Sequence, residues 1–218
     1  MSACNVNWAG EVAAAQDGAG AFTSIVLKPN RLTAYVNISK QLLAQDTLDV
    51  ENIIRQDLIN AINSKLEATI LGNGAAQDGL NPGGMFYGQT PETISDFAGI
   101  AEVEAEVEEN NVFGPCKWVV SPKFKAALRA LSLGENVAAN LFYNSEIDGT
   151  VALSTSNVES KKAIYGDFSN LAIGQWGAID VTVDPYTQAK NGMIVLVVNC
   201  YFDAKVIRPE AFGFAEVK

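Results

Sequence analysis

The sequence predicts an α+β fold, in which helices and strands alternate irregularly. Three observations carry this expectation. The stretch Asp49–Leu71 keeps the three-then-four spacing of an amphipathic helix, with apolar residues at Val50, Ile53, Ile54, Leu58, Ala61, Ile62, Leu66 and Ile70. Leu32–Ile38 alternates with period two, as a half-buried strand does, and Met193–Phe202 is rich in β-forming residues. Between Lys117 and Phe202 strand and helix patterns follow one another without βαβ order, which excludes a regular parallel α/β sheet.

The chain opens with an Ala- and Gly-rich stretch in which Trp8 and Glu11 stand out, and residues 15–21 read as a flexible loop or hairpin tip. Phe22–Leu27, a turn at Lys28-Pro29-Asn30-Arg31 and Leu32–Ile38 then read as a β-hairpin. Leu32, Ala34, Val36 and Ile38 share one face of its second strand, and that face requires an apolar partner. Ser39 is placed to cap a short helix through Leu43.

The long helix over 49–71 would extend ~34 Å, making it the spine of the molecule. Thr47 or Asp49 can cap it, Glu51 lies near the positive end of its dipole, and Gly72-Asn73-Gly74 ends it. The glycine-rich run 72–88 closes a helix, whereas a dinucleotide-binding loop opens one, so a cap and turn are expected there.

Residues 101–110 alternate Glu with Val and Ala, but Ile100, Val103 and Val107 hold helical spacing, and a helix is predicted. Glu102, Glu104, Glu106, Glu108 and Glu109 then form a solvated face, since calcium loops interleave Asp or Asn with a turn glycine. Lys117–Val120 is a short buried strand, Ser121-Pro122 starts a helix through Leu131, and Val151–Ser154 is a strand. Gly166-Asp167-Phe168 turns into Leu171–Ile173, and Ile179–Val183 and Met193–Phe202 form a strand pair.

With 218 residues, of which 48% are hydrophobic, the chain can bury a core without disulfide staples. No apolar run reaches the ~18 residues of a membrane helix, and the opening residues lack a signal pattern. Cys4, Cys116 and Cys200 are odd in number and far apart, which disfavours a disulfide framework. There is no histidine, which removes the commonest general base and most catalytic zinc sites. No Ser-x-x-Lys occurs, and Asp167, Asp180, Asp184 and Asp203 sit where Asp makes local hydrogen bonds. No catalytic, cofactor or metal residue is assigned, and a binding or structural role is preferred over an enzyme. The net charge of −10 opposes tight sequence-independent binding to nucleic acid.

The order of motifs points further. WAGE (8–11), LKPNRLTAYVNISKQLL (27–43), LGNG (71–74), WVVSPK (118–123), YGDFSNLAIG (165–174), VDPYTQAKNG (183–192) and RPEAF (208–212) together cover the chain from Trp8 onward. In this order the sequence resembles the major capsid proteins of tailed bacteriophages and prophages, with the Hong Kong 97-type shell fold. The resemblance implies an extended E-loop hairpin over 1–38 that lies on an adjacent subunit. It implies a P-domain with the spine helix over 39–88 and 173–207, and an A-domain over 89–172 and 208–218. Intersubunit contacts are then expected at Trp8, Glu11, Lys28, Arg31, Leu32, Ala34, Val36 and Ile38.

The implied partners are further copies of the chain, as pentamers and hexamers in an icosahedral shell assembled in the bacterial host cytoplasm. Double-stranded DNA would be enclosed without tight binding, and no membrane and no cofactor are implied. Family members carry an arm before the E-loop, and this chain begins at or inside that loop, as a truncated or processed form would. Some members join an E-loop lysine to a neighbour's asparagine with the help of a glutamate. Lys28 and Asn191 are positional candidates, but Asn199 falls where the glutamate would be, so no cross-link is expected. An encapsulin-like nanocompartment shell is the alternative reading, and a hydrolase a distant one.

Overall fold

A computed structural model describes residues 24–44, 50–112, 114–131 and 140–218 of the chain. Strand β1 (Asn30–Ser39) is followed by the short helix α1 (Lys40–Ala44) and the long helix α2 (Val50–Ile70). Next come β2 (Glu92–Ile94), α3 (Phe97–Glu109), β3 (Lys117–Val120) and α4 (Pro122–Ala130). The remainder is strand: β4 (Phe142–Tyr143), β5 (Glu146–Ile147), β6 (Thr150–Ser154), β7 (Lys162–Gly166), β8 (Leu171–Gln175), β9 (Asp180–Asp184), β10 (Met193–Val206) and β11 (Phe212–Val217).

Two sheets organise these elements. In the first, β10 runs through the middle with β1 antiparallel on one edge, from Asn30 opposite Phe202 to Ser39 opposite Met193. Its other edge takes β9 at Val195–Asn199 and β8 at Phe202–Val206, in succession. The second sheet has seven strands in the order β2-β11-β7-β3-β6-β5-β4.

Residue alternation decides what covers each face of the larger sheet. Trp118, Val120, Ala163, Tyr165, Ala215 and Val217 point to one side, where they meet Ile100, Val103 and Val107 of α3 and Phe124 and Leu128 of α4. Val119, Ile164, Phe212 and Phe214 point to the other, against Ile70, Leu71, Met85 and Phe86. Trp118, wholly buried, has its ring centroid 5.0 Å from that of Tyr165. Both helices start where the sequence can cap them. Asp96 accepts from the Gly99 amide at 3.1 Å, and Ser121 from the Phe124 amide at 3.3 Å with Pro122 just inside the helix.

The spine helix α2 connects the cores. Leu58, Ile62 and Leu66 pack on Val198, Cys200 and Phe202 of the first sheet, while Leu66 and Ile70 also belong to the cluster behind the second. The buried stripe is narrower than the sequence suggests, because Ile53 and Ala61 are exposed. The loop after the helix folds back on it. The Gly84 amide donates to Gly74, Met85 to Ile70 at 2.7 Å and Phe86 to Gly72, which seats Met85 and Phe86 in the core. A Cβ on Gly84 would lie 2.1 Å from the Gly72 carbonyl oxygen, so the fold-back needs glycine there.

One expectation is corrected. The strand expected to form a hairpin with 22–27 pairs instead with β10, more than 150 positions away in sequence, and residues 24–29 carry no ladder. A long central strand offers ten register partners and an apolar face already backed by α2, which a short preceding run cannot match. Trp8, Glu11, Cys4 and the caps expected at Thr47 and Asp49 lie outside the described residues.

Candidate assembly surface

Of the residues expected to touch a neighbouring subunit, Lys28, Arg31, Leu32, Ala34, Val36 and Ile38 are described and lie on β1 or just before it, where the two faces of the strand differ. Leu32, Ala34, Val36 and Ile38 stand opposite Cys200, Val198, Leu196 and Ile194, on the side that α2 covers. Leu32 packs with Ile62, Val198 and Cys200, and Ile38 is 3% exposed. At Leu32 the chain's own spine helix therefore supplies an apolar partner for this face. Arg31, Thr33, Tyr35 and Asn37 point the other way and are exposed, with Tyr35 at 71%. They stand opposite Tyr201, Asn199, Val197 and Val195, so the outward face of the first sheet mixes polar residues and valines, with the tyrosines exposed.

Lys28 lies just before β1 and is tied to its own chain. Its ammonium is 2.8 Å from Asp78 of the glycine-rich loop, and its amide donates to Asp203 of β10 at 2.8 Å. The Lys28 hydrogen bond and charge hold the exposed Asp78 carboxyl below the usual carboxylate range. Asn191 donates to Gln188, and Asn199 sits in mid-sheet between Thr33 and Asp180.

Of the aspartates singled out in the sequence, Asp167, Asp180 and Asp184 serve local geometry, whereas Asp203 accepts from Lys28 and Asn30 at the far end of the chain. Buried Asp167 accepts from the Ser169 amide, the Ser169 hydroxyl and Asn170, and Asp184 accepts from the amides of Tyr186 and Thr187 and the Thr187 hydroxyl, which lowers its pKa. Among the described residues no three His, Cys, Asp or Glu side chains converge as a metal site would require. No described helix is long and apolar enough to cross a membrane.

An apolar groove of about 520 Å³ opens between the C-terminal half of α2 and both sheets, lined by Leu66, Ile70, Val119, Leu153, Phe168 and Ile173 among others. Leu153 and Ile173 are more than half exposed. Sequence reading passed over this groove, because its walls come from four separate stretches of chain. It also missed Glu104. That side chain is half-buried and accepts from Trp118 Nε1 at 2.7 Å. Burial, opposed by the Trp118 hydrogen bond and aided by Asp148 and Glu108, pushes its carboxyl up to about 7.

Comparison with known proteins decides the family. The sequence model of the phage capsid family matches residues 2–217. The chain belongs to the phage capsid family. Its members are structural capsid proteins and not enzymes. This capsid-family chain is 25% identical to the major capsid protein of Halomonas phage phiHAP-1 across 99% of its own length, and spans 36% of that relative. Its fold is the Hong Kong 97-type shell fold. It superposes on a protein structure of Mycobacterium phage Adephagia with a TM-score of 0.74 at 14% identity, covering 100% of this chain and 82% of that one. The capsid of a native GTA particle, computed with C5 symmetry, gives 0.72 at 15% identity, covering 100% and 83%. Likeness at this identity establishes the fold alone.

Proposed function

We propose that this capsid-family chain is the structural subunit of a phage or prophage shell, in which copies of the chain surround double-stranded DNA. The observation that carries the reading is the family match over residues 2–217, joined to a fold shared over the whole chain with phage capsid structures. Shell formation requires heterologous contacts that repeat at fixed angles and close. The spine helix suits this task, because Leu66 packs in the cores of both sheets and so couples their orientation. In this reading pentamers beside hexamers follow from closing such a lattice.

Three regions divide the labour in this reading. The chain up to residue 38 is the E-loop in this reading, with its strand β1 joined to β10 of the first sheet. The first sheet with α2 corresponds to the P-domain, and the seven-stranded sheet with α3 and α4 to the A-domain. Assembly takes place in the host cytoplasm, and the shell is the virion coat. A net charge of −10 favours a wall that encloses DNA without holding it, since phosphate binding requires clustered Lys and Arg.

Velocity sedimentation of the natural full-length protein tests the reading. Closed shells sediment as one fast, narrow species, and DNA added at low salt stays unbound by them. A monomer that never enters a fast species would contradict the shell role, and strong retention of arbitrary DNA would contradict loose enclosure. A nanocompartment with the same fold would instead copurify with a cargo enzyme.

A further inference from the structure

The chain entering β1 is held by a set of ties that the packing of the core does not require. Residues 24–29 form no ladder, and all but Leu27 are exposed. A cleft of about 580 Å³ lies between this segment, the loop around 76–85 and the end of β10. Five contacts bridge to it. Lys205 Nζ donates to the Val26 carbonyl at 2.6 Å. Leu27 lies over Gly174, where an added Cβ would come within 3.0 Å of its Cδ1. The Lys28 amide donates to Asp203 Oδ2 at 2.8 Å, and Asn30 Nδ2 donates to Oδ1 of the same carboxylate at 3.2 Å. The Lys28 ammonium meets Asp78 at 2.8 Å.

The chemistry at Asp203 is specific. It is 3% exposed, on β10, and its two oxygens receive three donors: Lys28, Asn30 and its neighbour Ala204. All three bonds are accepted by the carboxyl, one at Oδ2 and two at Oδ1. Pro29 separates the two tethered residues, fixes its own φ and drives Lys28 toward extended backbone, so the pair of bonds defines a direction as well as a position. The Lys28–Asp78 pair is open to water on both sides, and such pairs contribute little to stability. Its geometric effect remains, because it fastens the segment to a second element across the cleft.

We propose that Asp203, together with the Lys28–Asp78 pair, is a positioning clamp that fixes the course of residues 24–29 along the subunit, and so where a neighbouring copy meets them. The second half of this statement rests on the shell reading, and the first does not.

Two experiments separate them. Hydrogen exchange on the unassembled protein reads the clamp directly. In Asp203→Asn the Lys28 amide should exchange at least about tenfold faster than in the wild type, because the introduced amide group presents a donor where an acceptor stood. Amides of α2 and mid-β10 should be unchanged. Unaltered protection at Lys28 would overturn the clamp. Shell yield reads the consequence, using surface variants that leave the core intact. Lys28→Glu and Asp78→Lys should each reduce yield about tenfold with an unchanged unfolding midpoint, and the double variant should restore it. A double variant no better than the singles, or singles that assemble normally, would overturn the positioning role. A wild type that forms no shells would instead contradict the shell reading, with the exchange result still standing.

Discussion

Glu104 accepts the indole N–H of Trp118 at 2.7 Å, which makes it the one carboxylate of the α3 glutamate row that is turned into the protein. Trp118 is fully buried and Nε1 is a donor only, so an acceptor there is required. The groups that act on Glu104 besides Trp118 are Asp148 and Glu108, both acidic. A carboxyl held at about 7 stays protonated in the folded chain at pH values where the unfolded chain, near 4.5, has lost the proton. Stability therefore falls as pH rises from about 4.5 through 7, and the loss is complete above that window.

The variant Glu104→Gln tests this relationship. Its amide oxygen can still accept from Trp118, but it cannot ionise. Thermal unfolding should find it close to the wild type at pH 5 and more stable at pH 8, by about 1 kcal/mol once solvent screening of a half-buried group is allowed for. Parallel pH profiles for the two proteins would contradict the assignment.

Proline at position 61 should break the spine. Ala61 is exposed in the middle of α2, so the substitution creates no steric problem with the sheets and acts on the helix alone. It removes a backbone hydrogen bond and costs ~3 kcal/mol or more. Circular dichroism should show lost helix, and no shells should form. Ile62→Ala, at a position 2% exposed, should instead cost roughly 2–5 kcal/mol through the cavity it leaves.

Gly84→Ala should destabilise the loop after the spine by roughly 1–3 kcal/mol, because its methyl group would press on the Gly72 carbonyl and displace Met85 and Phe86. Gly74→Ala, where an added Cβ meets nothing within 4 Å, is the control and should be nearly neutral in denaturant unfolding.

What the sequence made legible was mostly local. The spine, the Ile100, Val103 and Val107 stripe of α3, the Ser121 cap of α4 and the pairing of β9 with β10 all follow from periodicity, capping and turn residues within one stretch. What it hid was non-local. Nothing near β1 reveals that its partner is β10, and β7 and β11 show no clean alternation because they are covered on both faces. The apolar face of β1 was readable as needing a partner, and at Leu32 α2 of the same chain supplies one. Glu104 resembled its exposed neighbours because only the fold brings Trp118 beneath it.

A covalent ladder is not expected. The Lys28 ammonium is engaged by Asp78, and Asn199 stands in mid-sheet opposite Thr33 and Asp180, where a carboxyl would be required to assist bond formation. Assembled particles boiled in detergent should run as single chains on a denaturing gel. A ladder of multiples would contradict this.

Electron microscopy of the natural full-length protein, purified after expression, tests the central claim most directly. The account predicts closed hollow shells of uniform diameter with five-fold vertices, and their loss in Ala61→Pro. Wild-type protein that stays dispersed as monomers, or shells that form normally from Ala61→Pro, would contradict it.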